Sequence, residues 1–196
     1  QHAAILTDGQ GMSFDACVLA TGSRSFIPPI AGGDRPGVLA LRTVADAQAI
    51  RARALETTTA AVAGGGLLGL EVAHGLSGLV KRVIVLERGD SLLRRQLDQA
   101  GGELFAAVLA RSGIEVMTRT EVASAAGDAA GALAGLGLKD GRTLACDLLV
   151  IAAGVRPRVE LAQAAGLVTD RGGVVVDDQM TTSVAGVFAC GDVASH

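Results

Sequence analysis

Three glycines are the residues in this sequence whose spacing most directly suggests chemistry. Gly64, Gly66 and Gly69 fit the pattern G-x-G-x-x-G, and they stand between a strand-like run and a helix-like run. In that setting glycines leave the backbone bare, so that the positive end of the helix dipole can lie against a pyrophosphate. No Lys-Ser or Lys-Thr pair follows Gly69, which excludes the phosphate loop of nucleoside triphosphatases.

Glu87 makes this glycine pattern a more specific indication of a dinucleotide-binding site. It ends the next strand-like run, eighteen positions after Gly69, where a carboxylate can accept hydrogen bonds from both hydroxyls of an adenosine ribose. The same carboxylate would repel the 2′-phosphate of NADP, so NAD is the favoured cofactor. Arg88 keeps NADP open as a second option, because an adjacent guanidinium can reach a 2′-phosphate. The alternative for the whole set is a glycine-rich turn at a helix–strand crossing, with Glu87 as a surface acid.

A βαβ unit must position these residues. The run TAAVA at 59–63 predicts a strand, 67–79 a helix and 82–87 a second strand. A further helix is predicted over 99–111, where apolar residues share one face, and Gly113 ends it before another strand in IEVMT. This alternation predicts a parallel sheet covered by helices.

The amino-acid composition changes between residues 121 and 146. Small residues and glycines dominate there, and the pair Asp140-Gly141 favours a tight hairpin turn, so we expect an antiparallel meander. The run at 147–154 then predicts a strand buried on both faces that rejoins the main sheet. The predicted fold class is α/β, with a Rossmann-like NAD(P)-binding domain. The flanking segments 5–22 and 172–191 contain strand-like runs but too little helix for a domain of their own.

Composition excludes several functional classes. The chain has 196 residues, of which 49% are hydrophobic and 19% charged, enough to bury at least one sizeable core. Its longest uncharged run has 14 residues, short of the ~20 that span a bilayer. A net charge of -3 and the absence of Trp and Tyr leave neither a basic surface nor a stacking platform. We therefore expect neither a membrane nor a nucleic acid as partner.

The cysteines and histidines suggest no metal or disulfide chemistry. Cys17, Cys146 and Cys190 are far apart in the sequence, with no CxxC pair and no zinc spacing. We expect a reducing, cytoplasmic setting, with Cys190 packed as a small apolar residue. The three histidines lack partners at ligand or triad spacing. Because the chain begins with Gln1 and has no secretory signal, it is expected to be a fragment.

Four segments together resemble a known family. They are VLATGSRSFIPPIAG (18–32), GGGLLGLE (64–71), LLVIAAGVRP (148–157) and TTSVAGVFACGD (181–192). In this order they resemble signatures of the pyridine nucleotide-disulfide oxidoreductases, flavoproteins with two dinucleotide-binding domains. Within that family, LRTVADA, VLERGDSLLRRQLD and the GD-x-A-S-H ending are most similar to the flavoprotein portion of NAD(P)H-dependent nitrite reductase large subunits.

The resemblance implies roles for particular residues. Asp192 matches an aspartate that hydrogen-bonds the ribityl chain of FAD, with Gly191 allowing close approach. Asp192 could also cap a following helix, and both roles could hold at once. The other cofactor-binding assignments that the resemblance implies are Thr21, Gly22, Gly65, Leu67, Leu68, Ala153 and Gly154.

Glu71 is the one catalytic candidate. It matches a glutamate near the nicotinamide–flavin contact that pairs, in relatives, with a lysine of the FAD domain, and that lysine is not in this chain. Alternatively, Glu71 is a first-turn acid that stabilises its helix dipole. Leu67 stands where many relatives have a tyrosine gate, and Arg158 where asparagine is usual. The family's first GxGxxG, for the ADP half of FAD, and its C-terminal interface domain are missing from this sequence.

These inferences combine into one functional hypothesis. The chain is interpreted as a partial FAD-domain segment (1–45), an NAD(P)-binding domain (46–158) and a second partial FAD-domain segment (159–196). Inactive alone, it would belong to an FAD-dependent NAD(P)H oxidoreductase that passes hydride from NAD(P)H to flavin and electrons to an acceptor carried elsewhere. Its partners would be the dinucleotide, the missing FAD-domain segment and an electron-acceptor domain or protein. The alternatives are a rubredoxin- or ferredoxin-reductase relative and a non-catalytic nicotinamide-binding module.

Overall fold

The computed structural model describes residues 2–196 and divides the chain into two compact units. The first unit joins the residues up to Arg24 with Val155–His196, and the second is the contiguous segment Ser25–Gly154. The two units meet after residues 24 and 154, whereas the functional domains predicted from the sequence divide after residues 45 and 158, and that domain assignment stays a prediction. Residues 25–45 group with the second unit because one of their strands completes its sheet. Which unit serves which cofactor stays a prediction.

Four short strands come first in the chain: β1 (His2–Ile5), β2 (Gly11–Phe14), β3 (Cys17–Leu19) and β4 (Ser23–Ser25). The second unit then contains β5 (Val38–Ala40), α1 (Val44–Ala54), β6 (Thr59–Ala63), α2 (Leu67–Ser77), β7 (Arg82–Leu86), α3 (Gln99–Arg111), β8 (Ile114–Met117), β9 (Val122–Gly127), β10 (Leu133–Leu138), β11 (Thr143–Ala145) and β12 (Leu148–Ile151). The first unit resumes with β13 (Val155–Pro157), α4 (Glu160–Ala164), β14 (Val174–Val175), β15 (Val187–Ala189), a 3-10 turn (Gly191–Val193) and β16 (Ala194–Ser195).

A five-stranded parallel sheet is the centre of the second unit. Its strands lie in the order β5, β12, β6, β7, β8, and every neighbouring pair is parallel. The predicted βαβ unit is confirmed, and so is the return of the 147–154 run to the main sheet as β12. Helix α3 has the predicted bounds, whereas α2 ends at Ser77 because Gly78 caps it.

Side chains of alternate residues on these strands face two different layers. On β6, Ala60 and Val62 pack in the cluster that contains Leu70 and Leu76 of α2. Ala61, between them, packs instead with residues of the meander strands. The sheet therefore has helices on one face and the meander on the other, which explains why its strands are apolar on both faces.

The meander has three antiparallel strands, β9, β10 and β11, with β10 in the middle. Leu136, Leu138 and Val122 bury it against the sheet. At the predicted hairpin turn, Gly141 has a φ of +88° and its N–H donates to the carbonyl of Leu138 at 3.0 Å. The left-handed backbone at Gly141 is one that glycine adopts without strain, so the expected turn is confirmed.

Helix α1 was not predicted from the sequence, although its start signal is present. The Thr43 hydroxyl accepts the N–H of Asp46 at 3.2 Å, and the Asp46 carboxylate accepts the N–H of Thr43 at 2.7 Å. These hydrogen bonds hold the pKa of Asp46 below its ordinary value. This is a reciprocal capping box, which stabilises a helix start that weak apolar periodicity did not reveal.

The first unit is built from two segments that are far apart in the chain. Strand β15 pairs in parallel with β3, and β14 pairs in parallel with β16. Val174, Val187, Ala189 and Val193 are buried in its core. The flanking segments thus form one body, as expected of parts of a common domain. Among residues 2–196, every helix is too short or too polar to cross a lipid bilayer.

The free cysteines differ in exposure. Cys146 is 1% exposed, and burial raises the pKa of its thiol to about 11. Cys190 is exposed, so the expectation that it packs as an apolar residue is wrong. It follows the buried Ala189 at the end of β15, and side chains alternate in direction along a strand.

We predict selective thiol labelling on this basis. In folded protein at pH 8, Cys190 should react with a disulfide reagent such as DTNB, whereas Cys146 should react only after unfolding, because the buried thiol stays protonated and inaccessible. The measurement is the labelling rate of Cys17→Ser, which retains Cys146 and Cys190, and of the Cys17→Ser/Cys190→Ser double variant, which retains only Cys146, without and with denaturant. Fast labelling of Cys146 in folded protein would contradict the packing of β12.

Candidate functional site

The glycine fingerprint lies where β6 ends and α2 begins. Gly64, Gly65 and Gly66 form the turn between these two elements, at the carboxyl edge of the parallel sheet. The N–H of Gly64 donates to the carbonyl of Leu86 at 2.9 Å, which holds the turn against β7. In open α/β sheets this edge is where ligands bind.

Two of the glycines are required by packing. Gly64 has a φ of +129°, and a Cβ atom there would lie 2.4 Å from the carbonyl oxygen of Ala152. A Cβ atom on Gly69 would lie 2.0 Å from the carbonyl oxygen of Gly64. Real Cβ atoms do not approach backbone oxygens so closely, so both positions need glycine for α2 to lie close to the sheet.

Gly66 is different, because nothing in the structure lies within 4 Å of the position of its missing Cβ. It is the N-cap residue of α2 and supplies no side-chain cap. The first N–H groups of a helix have no partner within the helix, and Gly66, Leu67 and Leu68 are all exposed. The start of α2 therefore presents bare backbone donors, which is the arrangement that a pyrophosphate needs.

The carboxylate of Glu87 connects this turn to the loop that follows β7. Its Oε2 accepts the N–H of Gly65 at 2.7 Å, and its Oε1 accepts the N–H of Gly89 at 2.6 Å. Glu87 is half-buried, whereas Gly65 and Gly89 are buried. Each carboxylate oxygen can accept a second hydrogen bond. Glu87 is thus held in one orientation with acceptor capacity to spare, as expected of a residue that binds two ribose hydroxyls.

Two residues with strained backbone also form hydrogen bonds to Gly65 and Gly89. The sequence analysis predicted neither of them. Leu93 and Arg119 have left-handed φ angles of 53° and 51°. The N–H of Leu93 donates to the carbonyl of Gly65 at 3.0 Å, and that of Arg119 donates to the carbonyl of Gly89 at 2.7 Å. Backbone strain of this kind concentrates at functional sites. A positive φ at a leucine or an arginine cannot be recognised from a sequence pattern.

Glu71 and Leu68 are among the residues that line an apolar groove of about 300 Å³ between α1 and α2. Glu71 is exposed and is the fifth residue of α2, beyond the first turn. The alternative in which Glu71 is a first-turn acid is therefore wrong. Its assignment to the nicotinamide end of the site stays a prediction.

The loop after β12 lies beside the fingerprint. The N–H of Ala152 donates to the carbonyl of Ala63 at 2.9 Å. Ala153 and Gly154 follow and are exposed, and Gly154 has a φ of +104°. These two predicted residues therefore belong to the same sheet edge as Gly64. Arg88 is exposed at that edge too, directly after Glu87.

The predicted flavin residues lie in the first unit and form a set of their own. The hydroxyl of Ser23, which is buried, donates to Oδ2 of Asp192 at 2.8 Å. Asp192 lies inside the 3-10 turn, after Gly191 with a φ of +72°. The N-cap of that turn is Cys190, so Asp192 lies inside the turn and is not its N-cap. The sequence analysis did not predict a role for Ser23, although Ser23 directly follows Thr21 and Gly22 in the chain.

Thr21 and Gly22 are fixed by hydrogen bonds within the first unit. The Thr21 hydroxyl donates to the carbonyl of Arg158 at 2.7 Å, and the carbonyl of Gly22 accepts the N–H of Arg158 at 2.9 Å. Arg158 serves these contacts through its backbone, which is why the usual asparagine is not needed for them. In residues 2–196 no group of His, Cys, Asp and Glu side chains is arranged to hold a metal ion.

Curated relatives align with nearly the whole length of this chain. The chain is 41% identical over 190 residues to the ferredoxin–NAD(+) reductase subunit of the benzene 1,2-dioxygenase system of Pseudomonas putida, covering 97% of this chain and 46% of the relative. It is 36% identical over 197 residues to the NAD(P)H nitrite reductase of Bacillus subtilis (strain 168), covering 100% of this chain and 24% of the relative. The chain therefore spans less than half the length of each of these two relatives.

Solved structures agree with these relatives. A ferredoxin reductase from Rhodopseudomonas palustris superposes with a TM-score of 0.91 at 33% identity, covering 97% of this chain and 46% of that one. An engineered water-forming NADPH oxidase with NADPH bound, derived from the Lactobacillus brevis NADH oxidase, superposes with a TM-score of 0.86 at 25% identity, covering 94% of this chain and 40% of that one.

The family itself follows from the match along the chain. Residues 2–196 match the family described as pyridine nucleotide-disulphide oxidoreductase. The motif resemblance and the predicted fold class are thereby confirmed. The chain belongs to the pyridine nucleotide-disulphide oxidoreductases, a family of FAD- and NAD(P)H-binding enzymes.

Proposed function

We propose that the second unit binds NAD(P)H and that the protein containing this chain passes electrons from it to FAD. The observation that carries the proposal is the Glu87 carboxylate, fixed by the N–H groups of Gly65 and Gly89 beside an open helix start at Gly66. A packing role alone accounts for Gly64 and Gly69. It does not explain the glycine at position 66, where a side chain would enter empty space. The non-catalytic module remains the alternative from another class.

In this proposal, different residues of the second unit bind different parts of the dinucleotide. The start of α2 would bind the pyrophosphate through its N–H groups, and Glu87 would bind the adenosine ribose. Exposed Leu67 and Leu68 would lie towards the nicotinamide, where apolar side chains exclude water. When bound, the two cofactors supply the chemistry, a hydride donor and its flavin acceptor. The chain's own contribution is therefore alignment.

The first unit offers groups that fit part of FAD. Asp192 is exposed, and hydroxyls of a ribityl chain can donate to a carboxylate. The hydrogen bond from Ser23 sets the orientation of that carboxylate. Gly191, with its φ of +72° and nothing near its missing Cβ, leaves room for a ligand beside Asp192. These features support an FAD role for the first unit.

The electron acceptor distinguishes two versions of the proposal. A nitrite reductase-like protein would pass electrons to an acceptor domain of the same polypeptide, and this version is supported by the resemblance of VLERGDSLLRRQLD and by the Bacillus subtilis relative. A ferredoxin reductase-like protein would pass them to a separate iron–sulfur protein, as favoured by the Pseudomonas putida and Rhodopseudomonas palustris relatives. A cytoplasmic setting is proposed for either version.

Residue spacing in the engineered NADPH oxidase bears on the choice of dinucleotide. Four of its five substitutions alter a glycine, an aspartate eighteen positions later, and the residues one and seven positions after that aspartate; the last two become arginine. This chain has Gly69, Glu87, Arg88 and Arg94 at the same spacing. It thus combines an acid of the NADH type with arginines at the two positions that became arginine in that NADPH-binding protein.

Replacement of Gly66 and of Gly69 by valine should separate binding from folding. Gly66→Val should abolish NADH binding and leave the melting temperature near that of wild type, because its side chain would enter open space. Gly69→Val should instead lower the melting temperature strongly, because its Cβ would clash with the backbone of Gly64. Calorimetry with NADH and thermal melting on the same samples measure both. Normal NADH binding by a folded Gly66→Val protein would refute the site.

NADH should bind more tightly than NADPH. Repulsion between Glu87 and the 2′-phosphate should favour NADH by about 1 to 2 kcal/mol, or about 5- to 30-fold in Kd. Glu87→Gln, which keeps the shape and one acceptor oxygen, should reduce or reverse this preference. Titration calorimetry with both dinucleotides is the measurement. Equal affinities of wild type for NADH and NADPH would contradict the role of Glu87.

A further inference from the structure

We propose that a polar pocket beside β8 is a second ligand site, which binds a basic amino acid, a molecule with one carboxylate and two ammonium groups. The pocket has a volume of about 320 Å³ and lies between three segments of the second unit: the loop after β7, helix α3 and the end of β8. Pockets that bind small molecules begin at about this size. A small metabolite is therefore the class of ligand that it can hold.

This pocket is separate from the proposed dinucleotide site. None of its lining residues is among those assigned to the dinucleotide. Leu92 lines the pocket and is fully buried, and it also packs on the fingerprint turn, where a Cβ atom on Gly65 would lie 2.6 Å from Cδ2 of Leu92. Leu92 thus forms a wall between the pocket and the turn. A molecule in the pocket would contact α3 and the end of β8.

The wall of the pocket contains a buried hydroxyl group. Ser91 is 5% exposed, yet its hydroxyl forms no hydrogen bond with any other group of residues 2–196. Buried polar side chains are nearly always hydrogen-bonded. Because Ser91 lines the pocket, its hydroxyl can bond to a molecule inside it. Thr118, directly after β8, also lines the pocket and contributes a second hydroxyl. The pocket therefore suits a ligand with hydrogen-bonding groups.

Charged side chains of both signs line the same pocket. Asp90 directly follows Gly89, and the N–H of Arg119 donates to the carbonyl of Gly89 at 2.7 Å, so Asp90 and Arg119 lie near each other. In the part of the chain that the structure describes, neither side chain forms an ion pair. Glu103 is on α3, and its Oε1 accepts a hydrogen bond from the Gln99 amide at 2.9 Å. Two carboxylates and one guanidinium thus surround the pocket.

A basic amino acid matches this set of charges. Its α-carboxylate can accept two parallel N–H bonds from Arg119, and the α-ammonium on the same carbon can donate to Asp90. The second ammonium group, at the end of the side chain, would pair with Glu103. A phosphate fits less well, because carboxylates outnumber the guanidinium. A metal ion would be repelled by Arg119, and residues 2–196 contain no group of His, Cys, Asp and Glu side chains arranged to hold one.

L-Lysine is the probe, and titration calorimetry is the measurement. Lysine should bind wild type with a Kd of about 1 mM or below. Arg119→Gln should weaken lysine binding about three- to fivefold, the scale of one exposed ion pair. It should not weaken the binding of 1,5-diaminopentane, which lacks the carboxylate. Arg111→Gln is the matched control, because Arg111 is an exposed arginine of α3 outside the pocket, and it should leave lysine binding unchanged.

Ser91→Ala separates ligand binding from folding. It should weaken lysine binding without lowering the melting temperature, because the hydroxyl bonds to nothing else in the described chain. If wild type does not bind lysine at about 1 mM, or if Arg119→Gln and Ser91→Ala bind it as tightly as wild type, the pocket is not this site. If 1,5-diaminopentane binds as tightly as lysine, the assigned ligand class is wrong. NADH titration of the same wild-type protein tests the proposed function separately, because the two sites share no assigned residue.

Discussion

The carboxylate of Glu87 is the interaction on which the site depends. Gly65 and Gly89 are buried and need acceptors for their N–H groups, and Glu87 supplies both. Hydrogen bonds to an ionised group are each worth about 1.5 to 3 kcal/mol, more than neutral ones. The two bonds join the turn after β6 to the loop after β7. The same carboxylate thus stabilises the loops and is the group proposed to bind the ribose, so its structural role and its proposed binding role cannot be separated by deleting it.

Small residues make this arrangement possible. Gly64 and Gly69 let α2 approach the end of β6 until backbone atoms touch, and Ala60 and Ala61 leave little bulk between the layers. Close approach brings the start of α2 over the sheet edge, where its free N–H groups face outward. The cost is a turn that tolerates almost no side chains. Gly66 is the exception, because nothing lies within 4 Å of its missing Cβ, and the proposed pyrophosphate site requires open space there.

Much of the second unit could be predicted because its signals are local. The apolar runs of β6 and β7, the bounds of α3 and the Asp140-Gly141 turn each follow from residues within one element. The unit boundaries could not be predicted in this way. Strand β5 has only three residues and joins the sheet through β12, more than a hundred positions later in the chain. The positions of Leu93 and Arg119 depend on loop geometry, which periodicity does not describe.

The division of the chain has a consequence for folding order. The second unit is one uninterrupted stretch, Ser25–Gly154, whereas the first unit needs residues from both sides of it. Its strands β3 and β15 can pair only after a loop of more than 160 residues has closed. Closing a long flexible loop costs chain entropy, and prior folding of the intervening stretch brings its two ends to fixed positions and removes most of that cost. Folding of the inserted unit would therefore favour assembly of the divided one, and in a nascent chain β3 would stay without its partner strand until β15 had been made.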